Sequence, residues 1–322
     1  MFRNFIRLLV NLVIAAFVFM VIILLIFDQF VQFRMDDKDL YAIFHAEKLY
    51  PTVAYYSAGG RRIRYLSLGS DTTCSVLFIH GAPSSLSYWR NYLMDSALLH
   101  RARMYAVDRP GYGYSGLADP VPDIQQQALL LRPLLDSMRA LHHPIVLVGA
   151  SYGTAVASRL VMDNPGVVDG LVLIAPAIAP GEEKVFWFTP AIEHPWFRWF
   201  IPRMLQSANN EKIHHRAELE KMLPLWSTVH IPVTYLQGSR DELVYPSNAD
   251  FARSHLVGAT PLTVYMIPGK GHLIAFSNKP EVEAAIIDMI EKARSSEPPR
   301  PASVASLPAS VAPRPASATS RP

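Results

Sequence analysis

The sequence predicts an α/β protein: a mostly parallel sheet with helices on both faces, preceded by one membrane-spanning helix. Three observations lead there. Short β-branched apolar runs alternate with stretches of helical periodicity, the pattern of parallel strands joined by crossover helices. The alternation breaks once, between residues 176 and 228, where no strand pattern is found. The N-terminal region carries an uncharged apolar stretch of membrane-spanning length.

Composition narrows the class. Half of the 322 residues are hydrophobic, which excludes a disordered chain. Net charge is +3; Arg300, Arg314 and Arg321 against Glu297 supply +2 of it, so the rest is close to neutral. No Lys/Arg block interleaved with aromatics occurs, which argues against a nucleic-acid partner. The single cysteine, Cys74, excludes an internal disulfide and reads as a buried small hydrophobe beside a strand.

The elements follow in order. Between Arg7 and Asp28 lie 20 uncharged residues, of which only Asn11 is strongly polar. At about 1.5 Å per residue they span about 30 Å, a bilayer's hydrocarbon thickness. A cleaved signal peptide needs a shorter apolar run and a small-x-small site. Residues 24–30, Leu-Leu-Ile-Phe-Asp-Gln-Phe, are bulky instead. The expectation is an uncleaved single-pass anchor, with Arg3 and Arg7 on the cytoplasmic side and the folded domain on the far side. Residues 28–50 read as a short, partly helical tether with Leu40, Ile43 and Phe44 on one side. Residues 53–56 and 61–68 form a hairpin across Ser57-Ala58-Gly59-Gly60. Strand 75–79 runs into His80-Gly81-Ala82-Pro83, and a helix is expected over 88–99. Strand 104–107 runs into Asp108-Arg109-Pro110-Gly111-Tyr112-Gly113-Tyr114-Ser115, followed by a helix over 123–141. Strand 145–148 runs into Gly149-Ala150-Ser151-Tyr152-Gly153, with a helix over 154–163 and a strand over 171–174. Past the break come strand 232–236, helix 247–254, strand 262–267 and helix 281–294. Residues 295–322 are Pro/Ala/Ser-rich without periodicity and are expected to be disordered.

The chemistry sits at strand ends. Gly-x-Ser-x-Gly between a strand and a helix is the setting of a nucleophile elbow, where the turn forces the serine into a strained backbone and only small residues flank it. Ser151 is therefore the candidate nucleophile. A serine needs a base and a group that orients the base, in the chain order Ser, acid, His. His272, flanked by Gly271 after strand 262–267, is the base. Asp241 after strand 232–236 is the acid; Glu242 is its neighbour, but Asp241 is nearer the strand end. Backbone N–H groups must meet the developing oxyanion. Tyr152 supplies one; Ala82 supplies the other, because Pro83 has no N–H. His80 and the 108–115 turn read as bracing for the rim of the site. The pairs His142-His143 and His214-His215 lack the spacing and carboxylate of a zinc site, so no metal or other cofactor is expected.

His80-Gly81-Ala82-Pro83, the 108–115 turn, Gly149-Ala150-Ser151-Tyr152-Gly153, Gly238-x-x-Asp241 and Gly271-His272, in this order, resemble the α/β-hydrolase fold superfamily over residues 50–294. The resemblance implies an eight-stranded sheet and a serine hydrolase of the esterase, lipase or peptidase kind. Serine rather than aspartate at the nucleophile argues against haloalkane dehalogenase or epoxide hydrolase chemistry. Ala82 departs from the His-Gly-Gly-Pro-Gly of the proline iminopeptidase branch. The resemblance also makes residues 177–228 a lid after the sixth strand. The implied organisation is anchor and tether 1–39, core 40–176 and 229–294, lid 177–228 and tail 295–322. Seven aromatics fall within 185–200. Among them Phe186, Trp187, Phe188, Trp196 and Trp199 either pack lid helices together, or line an apolar tunnel or dip into the membrane interface. The expected protein is a membrane-anchored serine hydrolase of small or lipid-like esters with an apolar acyl chain. An amidase, peptidase or carbon–carbon bond hydrolase uses the same residues, because the bond is chosen by the pocket. A non-catalytic binding module is disfavoured, since none of the three side chains is missing.

Overall fold

β1 (Thr52–Ala58) and β2 (Arg61–Leu68) form the expected hairpin, and its turn is just Gly59-Gly60, both at positive φ. Two-residue hairpin turns of that hand need φ > 0 at both positions, which glycine adopts without strain. The computed structural model describes residues 2–70, 73–198 and 200–295. The expected tail beyond residue 295 and Trp199 lie outside them.

Six further strands complete the sheet: β3 (Ser75–Ile79), β4 (Arg103–Val107), β5 (Ile145–Ala150), β6 (Gly170–Ile174), β7 (Val233–Gly238) and β8 (Leu262–Ile267). Their order is β1-β2-β4-β3-β5-β6-β7-β8. β2 runs antiparallel to β1 and β4; the other pairings are parallel. The chain leaves β3 for β4 on one side and returns to β5 on the other. That reversal opens a crevice at the carboxyl ends of β3 and β5, where ligands of open α/β sheets bind.

Among the described residues the longer helices are α1 (Phe2–Phe30), α2 (Asp37–Ala46), α3 (Ile124–Arg139), α4 (Tyr152–Asp163), α5 (Arg203–Met222), α6 (Asn248–His255) and α7 (Lys279–Ser295). Strand side chains alternate between faces. Leu77, Ile79, Leu147, Leu171 and Leu173 meet α3 and α4 on one side. Val76, Phe78, Val146, Val148, Val172 and Ile174 meet α7, Trp89 and Tyr92 on the other. The sheet is covered on both faces, as the unbroken apolar runs require.

Two expectations are revised. Residues 88–99 are not one helix but short turns at Leu86–Trp89, Arg90–Leu93 and Ser96–Leu99. Asp95 is the cause: its carboxylate accepts the Ala97 and Leu98 N–H groups and caps a new start there. The segment after α1 is more than a tether. Leu40 and Phe44 of α2 are fully buried against the sheet, each burial contributing about 1.5–3 kcal/mol. Ser85 Oγ donates to the Phe33 carbonyl at 2.7 Å, and Arg34 and Arg64 bond the Gly113 and Met35 carbonyls. α1 itself is apolar and long enough to cross a membrane, and none of its residues is buried.

Between β6 and β7 run short turns at Thr189–Ile192 and Pro195–Arg198, then α5 and a 3-10 turn, Leu223–Thr228. The start of this segment is stitched to the loop after β7. Lys184 N–H donates to the Leu243 carbonyl and Tyr245 N–H to that of Glu182.

Candidate active site

β5 ends at Ala150, and Ser151 stands between it and α4 at φ 50°, ψ −126°. This is left-handed backbone, costly for a residue with a Cβ and found where a site demands it. A bond from its N–H to the Ile174 carbonyl (2.9 Å) holds it there. The flanking glycines are forced by contact. A Cβ on Gly149 would lie 2.8 Å from Thr154 Cα, and one on Gly153 would collide with the Ile79 and His80 carbonyl oxygens. α4 thus crosses directly over β3 and β5.

Ser151 Oγ lies 3.0 Å from His272 Nε2, and His272 Nδ1 lies 2.8 Å from Asp241 Oδ2. The carboxylate sets the tautomer: Nδ1–H donates to it, which leaves Nε2 as the acceptor for the serine hydroxyl. Asp241 is buried and its Oδ1 accepts the Leu243 and Val244 N–H groups, both at 3.0 Å. Glu242 is exposed. The loops carrying acid and imidazole are packed backbone to backbone: a Cβ on Gly238 would collide with the Lys270 and Gly271 carbonyls, and Arg240 N–H donates to Lys270 O (2.8 Å). The structure therefore brings Ser151, Asp241 and His272 together.

Ala82 and Tyr152 line the same cavity as Ser151 and His272. Tyr152 opens α4, and first-turn N–H groups have no partner within their helix. Behind them lies a buried polar network that extends well beyond His80 and the 108–115 turn. His80 bridges Gly81 O through Nδ1 (2.7 Å) and the Arg109 N–H through Nε2 (3.0 Å). Arg109 donates to the His80 and Gly81 carbonyls and to both carboxylate oxygens of Glu211 at 2.6 and 3.0 Å. Gln127 bonds both partners of this pair. The Tyr152 ring lies between the Arg109 guanidinium (4.7 Å) and the His215 imidazole (4.5 Å). Glu183 joins His215 to Lys212, with contacts of 3.0 and 2.7 Å. Burial works to raise the Glu183 carboxyl, but the attraction and hydrogen bonds of His215 and Lys212 outweigh it and hold it at about 2. Asp108 accepts the Leu86 and Tyr114 N–H groups and faces Arg64 (3.3 Å), fixing the 108–115 turn at the rim.

The cavity has a volume of about 580 Å3. Ser151 and His272 stand in its wall with Phe186, Phe188, Ile192 and Leu205, so it is mostly apolar. Trp187 and Trp196, 90% and 77% exposed, are not among the cavity residues and stand on the outer surface. Among the described residues no group of three His, Cys, Asp or Glu is placed to hold a metal ion. A hydroxyl bonded to an imidazole that is itself oriented by a buried carboxylate is arranged for proton transfer from oxygen to nitrogen.

The sheet, its crossovers and the serine-bearing turn define a class: a hydrolase-type α/β fold with its chemistry at the strand ends. A sequence model described as the alpha/beta hydrolase family matches residues 76–285, and the chain belongs to that family. Monoacylglycerol lipase abhd6-B of Xenopus laevis is 29% identical over 213 residues, covering 61% of this chain and 60% of that one. Epoxide hydrolase 1 of Caenorhabditis elegans is 26% identical over 160 residues, covering 47% of this chain and 39% of its own. The chain thus spans less than two thirds of the length of each of these relatives. A structure described as a putative lipase from Acinetobacter baumannii AYE superposes with a TM-score of 0.64 at 17% identity, covering 82% of this chain and 99% of that one. One described as a membrane phospholipase A superposes with a TM-score of 0.62 at 20% identity, covering 91% and 99%. At such identities the likeness is one of fold.

Proposed function

We propose that the protein is a membrane-anchored serine hydrolase that cleaves carboxylic esters with an apolar acyl chain. The observation that carries this reading is the row Ser151 Oγ, His272, Asp241, with gaps of 3.0 and 2.8 Å, at the wall of a mostly apolar cavity. His272 Nε2 takes the Ser151 proton as Oγ attacks the ester carbonyl carbon. Negative charge gathers on the carbonyl oxygen, where the Ala82 and Tyr152 N–H groups stabilise it. The tetrahedral species collapses, His272 returns the proton to the leaving alkoxide, and the acyl group stays on Ser151 as an ester. Water, deprotonated by the same ring, then attacks the acyl carbon; the ring returns that proton to Ser151 Oγ as the acyl–oxygen bond breaks, and the carboxylic acid leaves. Throughout, Asp241 holds the ring and stabilises its charged form.

Serine also decides between the relatives' chemistries. Attack on an epoxide or an alkyl halide would leave a serine ether, which water does not cleave. An acyl group leaves a serine ester, which it does. Phe186, Phe188, Ile192 and Leu205 give the acyl chain an apolar seat, and the volume is in the range that encloses a drug-sized ligand. The name of the Xenopus relative, a monoacylglycerol lipase, points the same way. α1 is read as the anchor, with Arg3 and Arg7 in the cytoplasm and the folded domain outside it. The segment between β6 and β7 is read as a lid, because its residues close one side of the cavity.

Hydrolysis of p-nitrophenyl esters of increasing chain length by the purified full chain tests the acyl reading. The expected kcat/KM rises from acetate to medium and long chains. A preference for acetate overturns the apolar-chain assignment, and hydrolysis of amides but not esters overturns the ester assignment.

A further inference from the structure

The segment between β6 and β7 has a second surface, turned away from the cavity. Val185, Trp187, Trp196 and Phe197 stand on it, 64%, 90%, 77% and 56% exposed. The two charged side chains among residues 185–198 are both occupied within the protein. Asn209 Nδ2 donates to Glu193 Oε1 at 2.9 Å, and Arg198 Nε donates to Gln206 Oε1 at 2.9 Å. The Gln206 amide in turn bonds the Arg198 and Ile201 carbonyls, which holds the turn bearing Trp196 and Phe197 against the start of α5.

The end of α1 is fastened to the same segment. Most of its residues are exposed, but Met20, Val21, Leu24 and Asp28 are partly covered. Spacings of one, three and four place them on one face of a helix. The stripe ends in a clamp. Asp28 Oδ1 accepts the Arg203 backbone N–H at 2.7 Å, and Oδ2 accepts the guanidinium at 2.9 and 2.8 Å. Arg203 is the first residue of α5, and Leu205, Ala208, Asn209 and Lys212 on the following turns line the cavity. The clamp therefore joins the end of the apolar helix to the wall of the cavity.

We infer that Val185, Trp187, Trp196 and Phe197 form a membrane-inserting face, seated in the leaflet from which α1 emerges, through which the cavity takes its ester sideways from the lipid. This rests on α1 as the anchor and on the cavity as the hydrolytic site. Met20 lies seven residues inside Phe27, the end of the uncharged stretch. At about 1.5 Å per residue, the partly covered stretch of α1 begins about 10 Å inside that end. The Asp28–Arg203 clamp follows directly on the end of the uncharged stretch, and the Gln206 bonds hold the turn bearing Trp196 and Phe197 beside it, so that turn stands at the edge of the bilayer and its occupant is lipid. Tryptophan is favoured at the boundary between headgroups and chains. The path is short: Phe186 and Phe188 line the cavity, while Trp187 between them points out.

The test uses the full chain in phosphatidylcholine vesicles whose acyl chains carry bromine, a quencher of tryptophan emission. Trp89 and Trp226 are fully buried and lie away from lipid. In a Trp199→Phe background, which removes the fifth tryptophan, strong quenching in brominated vesicles is expected, most of it lost when Trp187→Phe and Trp196→Phe are added. Quenching by aqueous acrylamide but not by bromolipid would place the face in water and overturn the inference. Insensitivity to both, with concentration-dependent crosslinking between copies through Trp196→Cys, would assign the face to a second copy and overturn it as well. Vesicle flotation scores the anchor, and hydrolysis of a soluble acetate ester scores the site. Failure of either underlying reading is thus seen apart from failure of the inference.

Discussion

His80 is an imidazole that the fold keeps uncharged. Burial, and then the Arg109 guanidinium beside it, push its pKa well below the ordinary 6.5, against the opposing pull of the Gly81 carbonyl. In the unfolded chain the ring takes a proton near 6.5, while in the fold it does not. The unfolded state therefore binds more protons below that pH, and stability falls as pH falls, by up to about 1.4 kcal/mol per pH unit for one group. Glu183, held at about 2 against an ordinary 4.5, has the same sign and steepens the loss below 4.5. Denaturant unfolding of the detergent-solubilised chain should show stability declining from pH 7 to pH 5.5, and a His80→Asn variant should have a shallower slope. A flat wild-type profile would contradict the buried neutral ring. The bracing role of His80 was legible from its place at a strand end. The roles of Glu211, Glu183, Lys212 and His215 were not. Arg109 and Glu211 are 102 residues apart, and the helix pattern around Glu211 marks no partner for it.

At the level of elements, the strands were legible because each is a short apolar run ended by a turn signal, and their observed ends lie within two residues of the expected ones. The helix over 88–99 was misread because hydrophobic spacing does not register a cap such as Asp95 inside a run. The segment between β6 and β7 gave composition but not form. Its aromatics divide between cavity and outer surface, Phe186 and Phe188 inward, Trp187 and Trp196 outward. That split follows from backbone placement, which aromatic content does not encode. α5 is the element that joins this segment to the loop after β3. Glu211 reaches Arg109, and Arg109 holds the carbonyls of His80 and Gly81, just before Ala82. Glu211→Ala would leave the Arg109 charge buried without its carboxylate, since neither side chain of the pair is exposed. Removing one partner of a buried pair costs about 3–5 kcal/mol. Thermal and denaturant unfolding should show a loss of that size, with Glu211→Gln losing less because an amide oxygen still accepts from Arg109. Equal, small losses in both variants would mean that the pair does not hold the segment to the core.

On the scale of the whole molecule, the site is a consequence of sheet topology. The reversal between β4, β3 and β5 sets the loop after β3 beside the turn after β5, and parallel β7 and β8 deliver Asp241 and His272 to the same edge. The three side chains could be named from sequence because each follows a strand end and is flanked by glycine or another turn residue; which carboxylate faces the ring needed the packing of two loops around Gly238. α1, fastened through Asp28 and the segment 33–37, orients this edge relative to the membrane in which it is proposed to lie. Covalent labelling by a fluorophosphonate, located by mass spectrometry of the intact chain, is the most direct test of the central claim. A single adduct on Ser151 is predicted, absent in Ser151→Ala and slowed by orders of magnitude in His272→Ala while both variants keep the wild-type unfolding temperature. Labelling that persists in folded Ser151→Ala, or an adduct on a different residue, would contradict it.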